Sequence, residues 1–253
     1  MRRFDAKLEI ENIVAWIRDW FEKSGPKASA VIGISGGKDS TIVAALLVKA
    51  LGKERVVGVM MPNGEQKDIS DSQKVVEFLG IRNYTVNIAE AFEGEMSALK
   101  AAGVEPGKDA IINTPPRLRM ATLYAIAQSL PEGGRVANTC NASEDYVGYS
   151  TKYGDAAGDF SPLSELLVHE VLQVGDCLGL PGQLVRKTPS DGLSGMSDED
   201  KLGFTYSMLD HYVLTGECDD PEKKARIDRL HMLNLHKLRL MPKFEMESGE
   251  RTE

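Results

Sequence analysis

Ser29-Ala30-Val31-Ile32-Gly33-Ile34-Ser35-Gly36-Gly37-Lys38-Asp39-Ser40 is the stretch that decides the fold. Residues 29–34 are short, apolar and β-branched, the pattern of a buried strand. Ser35-Gly36-Gly37 is a turn, and 40–51 reads as a nearly all-apolar helix closed by Gly52. Buried strand, glycine turn and buried helix in that order open a βαβ unit. Successive backbone N–H groups in such a turn, together with the positive end of the helix, form an anion site. Gly36 and Gly37 let the backbone approach a phosphate with no Cβ in the way. Ser35 and Ser40 add hydroxyl donors, and Lys38 adds a charge. Asp39 is the odd member. A carboxylate beside phosphates is repelled unless a cation lies between them, and Mg²⁺ bridging Asp39 and a pyrophosphate is the economical explanation. The spacing is not that of a Walker A loop, because Asp39 follows Gly37-Lys38, and Gly33-Ile34-Ser35 breaks GxGxxG.

Outward from this segment the same alternation continues. Residues 6–23 read as an amphipathic helix, with Ile10, Ile13, Val14, Ile17, Trp20 and Phe21 on one face. Strands are expected at 55–61, 81–88 and 135–139, and helices at 69–79, 89–101, 115–129, 163–178, 203–214 and 221–238. Residues 143–161 read as a long irregular stretch and 181–200 as a mobile loop. Both are candidate lids, since long loops in small domains are commonly functional. Residues 245–253 read as a polar tail. No internal repeat or dividing linker is visible, so 1–253 is expected to be one α/β domain. It would be an open, mostly parallel twisted sheet with helices on both faces, connected by right-handed crossovers.

Composition excludes several classes. Of 253 residues, 42% are apolar and 27% charged, as in ordinary globular proteins. Lys plus Arg is 30 against 38 for Asp plus Glu, a formal charge of −8. That is no footprint for nucleic acid. Three scattered cysteines build neither a disulfide framework nor a zinc cluster. No signal peptide and no membrane-length apolar run is present, so a cytoplasmic setting is expected.

Ser35-Gly36-Gly37-Lys38-Asp39-Ser40 resembles the PP-loop of the ATP pyrophosphatases, which activate a carboxylate or similar oxygen with AMP and release pyrophosphate. Further segments resemble one branch of that group, the NAD synthetases. Asn113-Thr114-Pro115-Pro116-Arg117-Leu118-Arg119-Met120 resembles their Asn-x-x-Ala-Arg-x-Arg-Met. Asn138-Thr139-Cys140-Asn141-Ala142-Ser143-Glu144 resembles Gly-Thr-x-Asn-x-Ser-Glu. Thr151-Lys152-Tyr153-Gly154-Asp155, followed by Gly158-Asp159, is the most specific match. Thr188-Pro189-Ser190-Asp191, Gly203-Phe204-x-Tyr206 with Asp210, and His236-Lys237 also fit. The chain departs from the pattern at Val168, where a lysine is usual, and at Asn138, Gly192, Met60 or Met61, and Leu238.

The resemblance runs from Ile10 to Leu238 and implies an adenine nucleotide alpha hydrolase-like, Rossmann-like fold. It implies that ATP and deamido-NAD are joined as an NAD–adenylate, which ammonia then converts to NAD⁺ and AMP. ATP would be held by Gly33, Ile34, Ser35, Gly36, Gly37, Lys38, Asp39, Ser40, Thr139 and Ser190. Deamido-NAD would be held by Arg117 (with Arg119 as the competing arginine), Lys152, Asp159, His236 and Lys237. Asp155 would take the ammonia proton beside the catalytic Lys38 and Asp39. Glu144 is either a second Mg²⁺ carboxylate or an acid at a helix N-terminus. The family works as a homodimer, and the first helix and the 115–129 helix are surfaces for it, or else core. No cysteine sits in a glutaminase-like context, so free ammonia is the expected nitrogen source unless a separate subunit delivers it. The competing readings are another PP-loop ligase, such as a tRNA-modifying enzyme, and a nucleotide sensor without turnover.

Overall fold

The computed structural model describes residues 2–66, 69–186, 197–239 and 241–244. Its first helix, α1 (Ala6–Ser24), starts on Asp5, whose carboxylate accepts from Lys7 N and Leu8 N. Strand β1 (Ser29–Gly33) leads through the glycine turn into α2 (Lys38–Leu51). Then follow β2 (Val56–Met60), α3 (Ile69–Leu79), β3 (Arg82–Thr85), α4 (Ala89–Ala101), α5 (Lys108–Ser129) and β4 (Gly134–Val136). The remainder is helical: α6 (Ala142–Val147), α7 (Val168–Cys177), α8 (Gly182–Val185), α9 (Asp198–Leu202), α10 (Tyr206–Thr215) and α11 (Pro221–Leu238).

The four strands pair in the order β3-β2-β1-β4, all parallel. Ile32 lies opposite Gly58 and Val31 opposite Val136. Successive side chains of a strand point to opposite faces, and both faces of this sheet are covered. Ala30 and Ile32 pack with α1, α2 and α7, through Ile17, Leu46 and Val171. Val31, Val57 and Val136 pack instead with Met120, Leu123 and Ala127 of α5. This two-sided cover explains why β2 reads as a continuous apolar run, buried throughout. The chain builds outward from β1 to β3 and then returns to the other side of β1. The carboxyl ends of β1 and β4 therefore flank the topological switch point, where open α/β sheets bind ligands.

Several boundaries differ from those read in the sequence. Helix α2 starts at Lys38, so Lys38 and Asp39 sit in its first turn. Helix α5 starts at Lys108 and carries Pro115 and Pro116 inside it, although the prolines suggested a start at 115. Adjacent prolines interrupt one stretch of the ladder rather than two, and the segment before them still packs: Asn113 Oδ1 accepts from Thr151 Oγ1 at 2.7 Å. Helix α7 starts at Val168 rather than 163, because its first N–H groups are capped from far away. Val168 N donates to Ser143 Oγ (3.0 Å) and His169 N to the buried Asp210 (3.0 Å). Strand β3 is shorter than expected, though Val86 N still donates to Met60 O at 2.9 Å. The 143–161 stretch is not wholly irregular, since α6 forms its beginning. Of the 181–200 loop, α8 and α9 are ordered flanks; residues 187–196, with Ser190, lie outside the described residues, as does the 245–253 tail. The apolar faces of α1 and of 115–129 are core.

Candidate active site

The glycine turn is held by its own hydroxyls. Ser35 Oγ lies 3.0 Å from Ser40 Oγ and accepts from Gly37 N at 3.2 Å, while Thr41 Oγ1 donates to Gly37 O at 2.7 Å. Gly36 has φ +78°, and a Cβ there would come within 3.0 Å of Asp71 Cβ and Ser72 N at the start of α3. Positive φ and close packing coincide, so only glycine fits. We expect Gly36→Ala to destabilise the fold by at least about 1–2 kcal/mol from backbone strain alone. A denaturation midpoint equal to that of wild type would show that the turn adapts.

Lys38 is the buried charge of the site, 5% exposed. Its Nζ lies 2.7 Å from Asp39 Oδ2 and 4.0 Å from Glu144 Oε1. Burial alone would lower the Lys38 ammonium, but the carboxylates of Asp39 and Glu144 outweigh it and raise it, so the charge is kept. The opposite applies to Glu144. Burial and the neighbouring Asp39 push its carboxyl up to about 8, with Lys38 pulling it back. Two carboxyl groups thus converge on one ammonium. Helix α6 brings Glu144 there: Asn141 caps it by accepting from Glu144 N (3.0 Å), and the same amide donates to Asp39 Oδ1 (3.1 Å). Sequence reading passed over this double role of Asn141, although an Asn three residues before a Glu is a helix-start signal.

A cavity of about 250 Å³ opens at the strand ends, beside Gly33, Ile34, Ser35, Ser40, Thr139 and Asp155. Arg119 also borders it and donates to Met61 O at 3.0 Å. Arg117 points elsewhere, to Lys152 O at 3.2 Å. Asp155 Oδ1 accepts from Thr151 N at 2.9 Å; the surrounding protein desolvates this carboxyl and raises it, against the Thr151 hydrogen bonds and Lys237. A second cavity, about 430 Å³, lies behind Lys38 and is bordered by Val168, His169, Asp198, Tyr206 and Asp210. His169 Nδ1 is 2.8 Å from Asp210 Oδ2.

The end of α11 is tied to residues 148–152. Lys237 Nζ donates to Gly148 O (2.7 Å) and Ser150 O (2.8 Å), and Lys152 Nζ donates to His236 O (3.0 Å). Arg117, Lys152, His236 and Lys237 are therefore brought together on one strip of α5, loop and α11. Between them Tyr153 is exposed with φ +64°, a strained conformation for a residue with a Cβ. Asp159 stands apart: it accepts from Val136 N (2.7 Å) and from the Tyr124 hydroxyl (3.1 Å), tying its loop to β4 and α5.

Among the described residues no cluster of three His, Cys, Asp or Glu side chains could hold a metal by itself. A Mg²⁺ site does not need one, since this ion is commonly bound by one or two carboxylates with substrate phosphates and water. Asp39 and Glu144 fit that description.

The model of the NAD synthase family matches residues 9–247. The chain belongs to that family. A family member from Thermococcus kodakarensis, described as an NH(3)-dependent NAD(+) synthetase, is 42% identical over 214 residues, covering 84% of this chain and 82% of its own. The solved structure described as NMN synthetase from Francisella tularensis superimposes with a TM-score of 0.87 at 33% identity, covering 96% of this chain and all of that one (100%). NAD+ synthetase from Burkholderia pseudomallei gives 0.76 at 27% identity, with 93% and 91% coverage. The strand-end cavity and the Lys38 cluster sit at the switch point of this α/β fold. No helix among the described residues is long and apolar enough to cross a membrane.

Proposed function

We propose that the chain is an ammonia-dependent NAD⁺ synthetase, an amide-forming ligase acting in the cytoplasm as one synthetase domain. The observation that carries this reading is Lys38 shared by Asp39 and Glu144 at the N-terminus of α2, beside the strand-end cavity. ATP binds with its phosphates on the turn from Gly33 to Ser40, with Thr139 on the opposite side. Asp39 and Glu144 hold Mg²⁺. When bound, that ion neutralises the charge that develops on the departing pyrophosphate. The nicotinate carboxylate of deamido-NAD attacks the α-phosphorus, and Lys38 and the N–H groups of the turn stabilise the leaving group. Arg117, Lys152, His236 and Lys237 position the dinucleotide, and Asp159 contributes from the loop that it ties to β4 and α5. Ammonia then attacks the acyl-adenylate; the amide forms, AMP leaves, and Asp155 accepts the proton. The Asp155 carboxyl borders the strand-end cavity, and partial desolvation there raises it, which makes it the better base for this step.

Catalysis also requires that water be kept from the adenylate. Pairing of two copies would serve that end. Exposed apolar residues lie on the same helices as the substrate residues: Ile111 and Ile112 on α5, and Met232 and Leu233 on α11. We propose these as the homodimer surface.

The test is one assay with Mg-ATP and deamido-NAD, following NAD⁺ and AMP with ammonium or glutamine as nitrogen source. Equal amounts of both products with ammonium alone are expected. AMP without NAD⁺ would overturn the amidation step; neither product would favour a nucleotide sensor. A second acceptor belongs in the same assay, because one structure of the same fold, at 33% identity, is described as an NMN synthetase. Nicotinate mononucleotide turned over faster than deamido-NAD would move the assignment to the mononucleotide. The tRNA-modifying alternative has no support in a chain of charge −8.

A further inference from the structure

Asn138 lies two residues past the end of β4 and is 7% exposed. Its carboxamide makes four good hydrogen bonds within the protein. Nδ2 donates to Asp155 O (2.8 Å) and Ala157 O (3.1 Å). Oδ1 accepts from Cys140 N (2.8 Å) and Ser161 Oγ (3.0 Å). Two donors and two acceptor positions are the full capacity of this side chain. Its backbone is engaged too: Asn138 N donates to Phe160 O at 2.9 Å. The contact is close enough that a Cβ on Gly158 would fall 2.8 Å from Asn138 Cβ and 2.9 Å from Asn138 N.

We propose that Asn138 is the positioning residue for the ammonia step. Its amide grips the chain on both sides of Ala156 and so sets Asp155 against the strand end that carries Thr139 and Asn141. This rests on the reading of Asp155 as the proton acceptor. The chemistry of the clamp is specific to an amide. Aspartate at 138 would present acceptors to the Asp155 and Ala157 carbonyls, and alanine would leave two carbonyls, one N–H and one hydroxyl without this partner. A base must sit within hydrogen-bond reach of the proton it takes, and a displacement of about 1 Å can cost a hundredfold in rate. Asn138 touches the backbone of the loop, not the reacting atoms, so its effect falls on one half-reaction.

The experiment reads the ratio of NAD⁺ to AMP formed with saturating ammonium, in wild type, Asn138→Ala, Asn138→Asp, Asp155→Asn and Ser161→Ala. Unfolded protein contributes to neither product, so a purely structural loss leaves the ratio unchanged. Asn138→Ala and Asn138→Asp are expected to slow amidation by about 10- to 100-fold and lower the ratio, while ATP–pyrophosphate exchange per folded molecule is kept. Ser161→Ala removes one bond and leaves both N–H clamps, so its ratio should match wild type. If Asn138→Ala does not fold, the Asp variant decides. A wild-type ratio in the folded Asn138 variants, with a lowered one in Asp155→Asn, overturns this inference alone. A wild-type ratio in Asp155→Asn as well overturns the reading of Asp155 and this inference with it.

Discussion

Glu144→Gln is expected to cut NAD⁺ formation roughly 100-fold or more and, without added metal, to make the folded protein more stable than wild type at pH 8. Both effects come from the same carboxyl. Only 16% exposed and beside Asp39, it is desolvated and pushed up to about 8 from its ordinary 4.5. Between those values the folded, metal-free protein binds a proton that the unfolded chain has released. Stability therefore falls as pH rises through that window and levels off above about 8. Glutamine has nearly the same shape and no charge to desolvate, so the fall is removed. The same substitution takes away one of the two Mg²⁺ carboxylates, and a loss of roughly 100-fold or more in turnover should follow. Denaturation midpoints from pH 5 to 8 in a chelating buffer, beside NAD⁺ formation at saturating Mg²⁺, check the two halves. Near-normal turnover would remove Glu144 from the metal site. A variant whose midpoint falls with pH as steeply as wild type would show that the carboxyl is not the desolvated group described.

Asp155→Asn is the second large effect. Asparagine keeps an oxygen to accept from Thr151 N, now at 2.9 Å from Asp155 Oδ1, so the loop should hold its shape. What is lost is the proton acceptor. Ammonia is mostly ammonium near neutral pH, and a group that binds the cation and takes its proton is worth about 10²–10⁴-fold in general. Amidation should fall by at least the lower figure while adenylation, read as ATP–pyrophosphate exchange, continues. AMP would accumulate without NAD⁺ as water consumed the intermediate. An unchanged rate with ammonium would take the proton role away from Asp155.

The parts of the fold legible in the sequence were those set by neighbours along the chain. From β1 through the glycine turn to α2, apolar pattern, glycines and helix start all lie within one segment. The parallel sheet followed from strand–helix alternation. What escaped was set by distant partners. The start of α7 depends on Ser143 and Asp210, whose hydroxyl and carboxylate cap it across the fold. The start of α5 was obscured by two prolines that tertiary packing tolerates. In the site, the glycine turn pointed to Lys38 and Asp39, and the resemblance of later motifs to a known family pointed to Glu144 and Asp155. It could not separate Arg117 from Arg119, because their difference is one of direction: Arg119 turns to Met61 O under the cavity and Arg117 to the Lys152 carbonyl. Asn138 looked like a mere departure from a glycine, since its four partners lie between two and 23 residues away in the chain.

The bonds from Lys237 to the carbonyls of Gly148 and Ser150, and from Lys152 to the carbonyl of His236, have a consequence for biosynthesis. All residues of the sheet, the glycine turn, Thr139, Glu144 and the covering helix α7 have been made once residue 177 is joined, so a nascent chain can form its nucleotide cradle well before α11 exists. The loop around Lys152 gains these ties only after residues 236 and 237 have cleared the ribosome. A ribosome-bound intermediate would thus own the phosphate half of the site before the half that receives the acceptor, and stalling before the end of α11 would yield a chain with a cradle and an unanchored substrate loop.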